Sequence, residues 1–264
     1  MKKVLVIGGP GNISTSTIMD LVSRGDKVGL FSKPDSRFDE VDSKVSIFPG
    51  ERGDASVLKS AFNNFQPDVV LDMACFLPEH AEQIANLVGG RIEQFVFVST
   101  VDVYGFPLTS LPMKETDSWQ KRANSEYAEN KRRCEFVLKS KAEKNNFPLT
   151  IVRPSYSFSE RFIISALSRS AAPSLLYRLQ NGMPLLVPGD GRTLIHVSSG
   201  YNTGRMVAAL NAHVHLHLCM LDGVVAQGGR GWRFAGLRWM KHVWSGCRQQ
   251  CGSGCWGCLS GAGC

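Results

Sequence analysis

The feature that most constrains this chain is a glycine-rich turn between a short apolar strand and a helix. The strand is predicted at Lys3–Ile7, the turn follows at once as Gly8-Gly9-Pro10-Gly11, and a helical pattern begins at Ser14. Gly8 permits the tight turn, and Gly11 leaves room for a phosphate to approach the backbone. The helix N-terminus adds unpaired N–H groups and positive dipole charge. An ordinary βα turn is the alternative, but the context favours a site for the pyrophosphate of a dinucleotide.

Beyond this turn, the first 155 residues alternate strand and helix patterns, as expected of a parallel sheet with crossover helices. Several strands are near-continuous apolar runs, which is typical of strands covered on both faces. The right-handed crossover rule then predicts an α/β fold with a doubly wound parallel sheet, the Rossmann fold. The predicted strands are Lys3–Ile7, Lys27–Ser32, Val45–Phe48, Val69–Met73, Gln94–Ser99 and Leu149–Arg153, and the predicted helices are Ser14–Arg24, Ala55–Phe65, Glu79–Leu87 and Ser125–Glu143.

The alternation of strand and helix patterns becomes irregular after residue 155. We predict three parts: a dinucleotide-binding domain over 1–155, a small, incomplete substrate lobe over 156–211 and a tail over 212–264. The elements predicted in the lobe are a helix at Arg161–Leu179, a strand at Pro184–Val187, a turn at Pro188–Gly191 and a helix at Thr203–Asn211. The tail holds one Asp, no Glu, four of the five Trp and six of the eight Cys, without a helix or strand period. We therefore expect it to be poorly ordered, dispensable and no packed continuation of the domain, with a misjoined or out-of-frame coding sequence as the simplest account.

Charge and cysteine usage narrow the class of partner. Residues 1–211 hold 25 Lys and Arg against 22 Asp and Glu, so the pI of about 9.0 owes much to the tail and is weak evidence for nucleic-acid binding. No apolar run reaches the roughly 18 residues of a membrane span. The two isolated cysteines of the body, Cys75 and Cys134, favour a reducing, cytoplasmic compartment. The tail cysteines match no common zinc spacing, so no metal site is predicted.

The residues that follow the second and third strands bear on how a dinucleotide would be bound, and those after the second strand bear on the choice between NAD and NADP. Lys33, with Arg37 shortly after it, follows the second strand where no acid stands, which leans towards NADP over NAD. Both cations would serve equally well as solvated loop charges, so NAD and NADP stay open.

Asp54 directly precedes the helix predicted from Ala55. It either caps this helix or accepts a hydrogen bond from the adenine amino group, and the two alternatives are about even.

A threonine and a Tyr/Lys pair point to proton transfer. Thr100 directly follows the strong strand Gln94–Ser99, and Tyr127 and Lys131 are four residues apart on one face of a predicted helix. A tyrosine with a pKa of about 10 is a poor base at neutral pH, but a close ammonium favours the phenolate. The hydroxyl of Thr100 could then hold the substrate oxygen that gains or loses the proton. Alone, the Tyr/Lys spacing also fits an exposed helical pair; its co-occurrence with the glycine turn favours a catalytic role.

Together these motifs resemble the extended short-chain dehydrogenase/reductases of the NAD-dependent epimerase/dehydratase family. The resemblance implies that Tyr127 is the acid/base, that Lys131 holds the nicotinamide ribose and lowers the pKa of the tyrosine, and that Thr100 completes the triad. It covers residues 1 to about 210 and rests on Gly8–Ser14, Gly53-Asp54, Asp68–Ala74, Ser99–Gly105, Tyr127–Lys131, Val152–Ser155, Asn181-Gly182, Pro188–Gly191 and His196-Val197.

The resemblance further implies cofactor contacts at Asn12 and Ile13 in the turn and at Ala74 after the fourth strand. Dehydratases of the family place an Asp-Glu pair after the threonine, whereas Val101-Asp102 stands here, which argues for epimerase or reductase chemistry. The implied protein is an NAD(P)-dependent epimerase or related oxidoreductase that acts on a nucleotide-sugar-like small molecule by transient hydride transfer, with a homodimer as a further expectation. Because family members are usually longer, the activity of this chain is left open. The alternative is a non-catalytic dinucleotide-binding sensor or RNA-associated protein of the same superfamily.

Overall fold

A seven-stranded parallel sheet forms the centre of the protein in a computed structural model. The structure describes residues 1–36, 45–108, 113–145, 147–160, 172–185, 197–211, 220–222, 225–227 and 232–234. The described strands are β1 (Lys3–Ile7), β2 (Lys27–Ser32), β3 (Val45–Pro49), β4 (Val69–Asp72), β5 (Gln94–Val98), β6 (Leu149–Arg153), β7 (Tyr156–Phe158), β8 (Val197–Ser199), β9 (Met220–Asp222), β10 (Val225–Gln227) and β11 (Trp232–Phe234). The central sheet has the order β3-β2-β1-β4-β5-β6-β9, while β7 pairs with β8 and β10 with β11.

This topology confirms the predicted doubly wound sheet. Every neighbouring pair of the central sheet is parallel, and β1 lies inside it, between β2 and β4. The strand order reverses between β1 and β4, and ligands of such sheets bind in the crevice beyond the carboxyl ends of the strands at that point. The strands β1, β2 and β6 have the predicted bounds, and the ends of β3, β4 and β5 differ by one residue.

Helices cover both faces of the sheet. The described helices are α1 (Ser14–Ser23), α2 (Ala55–Phe65), α3 (Pro78–Val88), α4 (Glu126–Asn145), α5 (Ala172–Gln180) and α6 (Gly200–Leu210), with a short 3₁₀ helix at Val101–Tyr104. The predicted ends of α1 to α4 are met within two residues, and α6 begins three residues before its predicted start. Among the described residues, no helix is both long and apolar enough to pass through a membrane.

Each face of the sheet carries its own apolar core. Along β1, Val4 and Val6 belong to the cluster that includes α1 and α6, whereas Leu5 and Ile7 belong to the cluster that includes α2, α3 and α4. All four side chains are fully buried. The continuous apolar run of β1 therefore reflects burial on both faces, as its sequence predicts.

The predicted lobe differs from the structure in its strands: β7 and β8, which pair with each other, are not predicted, and the one predicted strand does not begin where expected. Helix α5 covers the end of the helix predicted at Arg161–Leu179, whose residues 161–171 lie outside the described residues, as does the turn predicted at 188–191. No strand begins at Pro184 or Leu185. The carbonyl of Pro184 instead accepts a hydrogen bond from Nε of Arg178 (2.7 Å), which turns the segment back onto α5.

One strand of the central sheet comes from the tail, where the sequence predicts no regular structure. Strand β9 pairs with β6 in a register that runs from Ile151 opposite Met220 to Arg153 opposite Asp222. At these residues the expectation that the tail is no packed continuation of the domain is wrong. The physical reason is that an edge strand such as β6 presents unpaired backbone groups, which a short extended segment can satisfy whatever its side chains. The tail cysteines lie outside the described residues, and the divisions at 155 and 211 stay predictions.

Candidate active site

The glycine turn lies at the carboxyl ends of β1 and β2. Gly8 has a φ of 92° and Gly9 a φ of 135°, both in the region that favours glycine. The amide of Gly8 donates to the carbonyl of Phe31 (2.8 Å), near the end of β2. A Cβ at Gly8 would lie 2.7 Å from that of Ala74, which places the loop after β4 against the turn. Both glycines are thus required by the fold itself.

Gly11 differs because nothing in the described fold requires it to lack a side chain. Its φ lies outside the left-handed region, and the only described atom near its would-be Cβ is Oγ of Ser14 at 3.3 Å. Two buried oxygens of the same turn, Oδ1 of Asn12 and Oγ1 of Thr15, have no hydrogen-bond partner among the described residues. Ile13 packs its side chain against the α1 core, and its carbonyl accepts hydrogen bonds from Ser16 and Thr17, so that its amide remains for a ligand. Open space, the hydroxyl of Thr15 as a donor and the first N–H groups of α1 together suit an anion.

Lys33, expected near the adenosine end of the cofactor, is exposed and already has a partner. Its Nζ lies 3.4 Å from Oε2 of Glu51, which is exposed as well. An ion pair between two such side chains is worth little. Arg37, the second cation of the sequence argument, lies outside the described residues.

Asp54 caps α2, which confirms one of its two predicted roles. Its Oδ1 accepts hydrogen bonds from the hydroxyl of Ser56 (2.7 Å) and from the amide of Val57 (3.1 Å). These bonds lower the pKa of Asp54 below its ordinary value. No described residue donates to Oδ2, so a role for this oxygen at adenine stays a prediction.

A buried ion pair supports the loop after β4. Nη2 of Arg52 lies 2.6 Å from Oδ2 of the fully buried Asp72, whose Oδ1 accepts the amide of Ala74 (3.0 Å). The guanidinium also donates to Gln83 (2.7 Å) and to the carbonyl of His80 (3.0 Å), both on α3. Burial alone would lower the pKa of Arg52, but the Asp72 carboxylate holds it above its ordinary value. The ion pair thus holds Ala74 where it borders the glycine turn.

The three residues predicted to be catalytic lie at the carboxyl end of β5. Thr100 follows this strand, and its Oγ1 accepts the amide of Asp102 (3.2 Å) at the start of the 3₁₀ helix. Nζ of Lys131 donates to the carbonyl of Val98 (2.7 Å), two residues before the threonine. The ring centroid of Tyr127 lies 5.9 Å from the same Nζ. Since β5 adjoins β4 and β4 adjoins β1, this group lies beside the glycine turn.

Lys131 is a buried ammonium that makes no ion pair among the described residues. Its side chain is only 1% exposed, whereas Tyr127, one helical turn away, is 42% exposed. The ring centroids of Phe97 and Phe76 lie 4.7 Å and 4.9 Å from Nζ. Burial lowers the pKa of Lys131. A buried cation is stabilised by a negative charge nearby, and it therefore favours the phenolate form of a neighbouring tyrosine.

One turn beyond Lys131, Glu135 anchors α4 to the strand ends. Its buried carboxylate accepts two hydrogen bonds from the guanidinium of Arg153, at 2.9 Å and 2.7 Å. The hydroxyl of Ser99 donates to it as well (2.7 Å), and Nη1 of Arg153 donates to Oη of Tyr104 (2.6 Å). This network ties the ammonium-bearing helix to the ends of both β5 and β6.

Most of these supporting residues are not predicted from the sequence. Asp72 and Arg153 lie in family-like segments without a predicted role, and the sequence does not single out Arg52, Glu135 or Phe76. The available signal is strongest for Glu135, since a carboxylate four residues after Lys131 shares its buried helix face. Arg52 carries no local signal, because its partner is 20 residues away and meets it only through the strand order.

The chain is similar to a known protein family and to two curated proteins over most of its length. The model of the NAD dependent epimerase/dehydratase family matches residues 4–198. The chloroplast stem-loop binding protein of 41 kDa b from Arabidopsis thaliana is 27% identical over 203 residues, which cover 72% of this chain and 50% of that protein. The dTDP-D-glucose 4,6-dehydratase of Homo sapiens is 25% identical over 226 residues, which cover 72% and 60%. The chain thus spans between half and three fifths of the length of these relatives.

Solved structures show the same fold. The UDP-N-acetylglucosamine 4-epimerase of Methanobrevibacter ruminantium M1, in complex with UDP-N-acetylmuramic acid, has a TM-score of 0.72 at 18% identity, covering 90% of this chain and 80% of its own. The UDP-glucose 4-epimerase of Thermus thermophilus, in complex with NAD, has a TM-score of 0.69 at 19% identity, covering 88% and 79%.

Proposed function

Because this chain belongs to the NAD dependent epimerase/dehydratase family, we propose that it binds NAD or NADP and acts as an epimerase or related oxidoreductase on a nucleotide-sugar-like substrate. One observation carries the proposal: an open, anion-suited glycine turn and a tyrosine beside a buried ammonium lie at the same end of the sheet. The turn would hold the pyrophosphate, and the tyrosine and ammonium would hold and move a proton. The dehydratase and the two epimerases named above support the choice of substrate class.

The residues of the turn fit a dinucleotide. Gly11 leaves open the space that a pyrophosphate needs, and the hydroxyl of Thr15, one helical turn further on, has no partner among the described residues and can donate to it. Oδ2 of Asp54 is available to the adenine amino group, while Ala74 and the backbone of Ile13 border the same crevice. When bound, the nicotinamide supplies a hydride acceptor that can return the hydride to the substrate.

The catalytic roles follow from charge and hydrogen-bonding capacity. The phenolate of Tyr127 takes the proton of the substrate hydroxyl as the carbon is oxidised, and the phenol so formed gives it back on reduction. The ammonium of Lys131, in a medium of low polarity, stabilises the phenolate before the first step and after the second. Because Oγ1 of Thr100 already accepts the amide of Asp102, its own hydrogen remains to hold the substrate oxygen.

The residue after Thr100 favours epimerase or reductase chemistry over dehydration. Val101 is half-buried and packs against the small apolar cluster of Val103, Tyr104 and Met113. A valine supplies no acid at this position, and dehydration needs such an additional proton donor.

Substitution of the tyrosine tests the chemistry. Tyr127→Phe should keep cofactor binding and lose turnover by at least ~10²-fold, the lower range for loss of general acid–base help. Thr100→Val should lower turnover with less effect on the cofactor. Turnover is measured with NAD and NADP against UDP- and dTDP-sugars, with Tyr177→Phe, an exposed tyrosine of α5, as the matched control. Wild-type turnover in Tyr127→Phe would remove the catalytic assignment.

Substitution of the open glycine tests the cofactor site. Gly11→Val should abolish dinucleotide binding, because the side chain would fill the space of the pyrophosphate. The melting temperature should stay near that of the wild type, since no backbone atom of the described fold lies within 4 Å of the new Cβ. Binding is followed by nicotinamide fluorescence. Wild-type affinity in this variant would make the turn a purely structural one.

Similarity to the stem-loop binding protein favours a second candidate, a non-catalytic dinucleotide-binding protein that associates with RNA. The balance of 25 cations against 22 acids in residues 1–211 argues against it. It would be preferred if the wild type bound the cofactor and a stem-loop RNA, turned over none of the sugars, and was unaffected in both by Tyr127→Phe.

A further inference from the structure

Three aromatic rings surround the ammonium of Lys131 and together form an aromatic cage: Phe76, Phe97 and Tyr127. Their centroids lie 4.9, 4.7 and 5.9 Å from Nζ. One N–H of the ammonium donates to the carbonyl of Val98 (2.7 Å). Ring faces take the place of the water that would otherwise surround the ammonium. The face of an aromatic ring carries negative charge and attracts a cation.

The three rings differ in how firmly they are held. Phe97 lies in β5 and is fully buried. Tyr127 lies on α4, one turn from Lys131, and belongs to the proposed chemistry. Phe76 lies in the loop between β4 and α3, is 47% exposed, and meets the ring of Tyr127 at a centroid distance of 6.3 Å. The ring of Phe76 is the most exposed of the three and lies in a loop, so it can leave the ammonium without moving a strand or a helix.

Phe76 contacts Lys131 from a loop that borders the glycine turn. Ala74, two residues before it, packs against Gly8 and is held by the carboxylate of Asp72. Because the Lys131 side chain is almost fully buried, a ligand atom can bond its Nζ only after a covering group has moved. Among the three rings, that of Phe76 lies in the loop nearest the glycine turn, so it is the one that a ligand from the cofactor site would displace.

We propose that Phe76 is the removable wall of the aromatic cage, and that the ribose at the nicotinamide end of the cofactor takes the place of its ring. The inference rests on the proposed function, in which Lys131 holds that ribose. Ribose hydroxyls offer oxygen acceptors, and hydrogen bonds from a charged donor are strong ones. Phe76 is thus a positioning residue. Its ring excludes water from the ammonium and keeps the ammonium oriented until the ribose replaces it. Because the ring must be displaced, it opposes binding of that ribose.

Accessibility of Lys131 tests the cage without any cofactor. Phe76→Ala should raise the rate at which a small amine-acylating reagent modifies Lys131 by about two- to thirtyfold, the range of a desolvated cation–π contact. Modification is read by mass spectrometry of the peptide, with the partly exposed Lys139 as internal reference. Leu77→Ala, at the neighbouring exposed position, should leave the rate at the wild-type value. An unchanged rate in Phe76→Ala would overturn the proposal, because something else would then cover the ammonium.

Ligand binding tests what replaces the ring. Phe76→Ala should tighten the binding of NADH and of ADP-ribose, which both carry the second ribose, by about two- to thirtyfold, and leave the binding of ADP unchanged. Phe76→Leu keeps an apolar cover without the ring face, so it should also tighten both ligands while labelling of Lys131 stays closer to wild type.

Two results would overturn the ribose as the occupant. One is an equal change in the affinity for ADP; the other is weaker NADH binding with unchanged ADP-ribose binding, which would make Phe76 a contact of the nicotinamide. A wild-type protein that binds none of the three ligands would overturn the proposed function and with it this occupant, whereas the labelling result would still decide about the cage.

Discussion

The α1/α6 layer and the α3/α4 layer cover opposite faces of one sheet, and they position their parts of the site in different ways. In the first layer, α6 approaches α1 through glycine. A Cβ at Gly204 would lie 2.6 Å from the carbonyl oxygen of Ile13 and 2.9 Å from the amide of Thr17. The hydroxyls of Ser16 and Thr17 donate to the carbonyls of Gly200 (3.0 Å) and Gly204 (3.2 Å). Backbone lies directly on backbone beside the glycine turn.

The α3/α4 layer positions its residues by charge. The carboxylate of Glu135 holds Arg153, and the guanidinium of Arg52 holds Asp72 and α3. The difference follows from what each layer presents. A turn that binds a ligand through backbone N–H groups is held best by contacts that leave no room for a side chain. A site that works through side chains needs oriented, paired charges, and it fails when one charge loses its partner.

The largest expected effect comes from breaking the charge network. Glu135→Ala should lower the free energy of unfolding by about 3–5 kcal/mol, because Arg153 would be left buried without its carboxylate. Urea unfolding measures the loss. Glu82→Ala, which removes the exposed partner of Lys141 in the same layer, should cost no more than about 1 kcal/mol.

A double variant separates charge from packing in the same layer. Glu135→Leu combined with Arg153→Met should recover much of the loss, since no unpaired charge remains. A cost below about 1 kcal/mol for Glu135→Ala alone would show that packing, and not charge, holds this layer.

The next effect concerns the backbone contact of the other layer. Gly204→Ala should lower the free energy of unfolding by about 1–3 kcal/mol, although alanine favours a helix by about 1 kcal/mol, because the new Cβ meets backbone atoms that cannot turn away. Dinucleotide affinity should fall with it, since the first turn of α1 is displaced. Met206→Ala, on the exposed side of α6, should change stability by no more than about 0.5 kcal/mol. A neutral or stabilising Gly204→Ala would remove the distinction between the two layers.

The smallest expected effect comes from substitutions of Asp54, a charged side chain with two candidate roles, helix cap and adenine contact. Asp54→Ser keeps an oxygen at the helix cap, whereas Asp54→Ala removes it, so only the alanine variant should melt earlier than the wild type. Both should weaken dinucleotide binding by about two- to tenfold, the range of one hydrogen bond. Thermal melting and nicotinamide fluorescence give the two readouts. Wild-type affinity in Asp54→Ser would leave the residue as a helix cap alone.

Much of the fold could be predicted because its signals are local. The bounds of β1 and β2 follow from apolar runs that end at a glycine turn and at Lys33, and the start of α2 follows from the cap at Asp54. The shared helix face of Tyr127 and Lys131 follows from their spacing of four. Strand β9 could not be predicted, since its pairing depends on the free edge of β6 and hardly on its own side chains.

The amino-acid sequence by itself determined the order of strands and helices, the glycine turn and the spacing of the tyrosine and lysine. Only the tertiary structure decided which distant residues meet: Arg52 with Asp72, Glu135 with Arg153, and Phe76 with Lys131. The physical reason is that periodicity, caps and turns act over a few residues, whereas these pairs are joined by the strand order. That order places the ends of β1, β4 and β5 side by side, so the loop that carries Phe76 comes to lie on the lysine of α4.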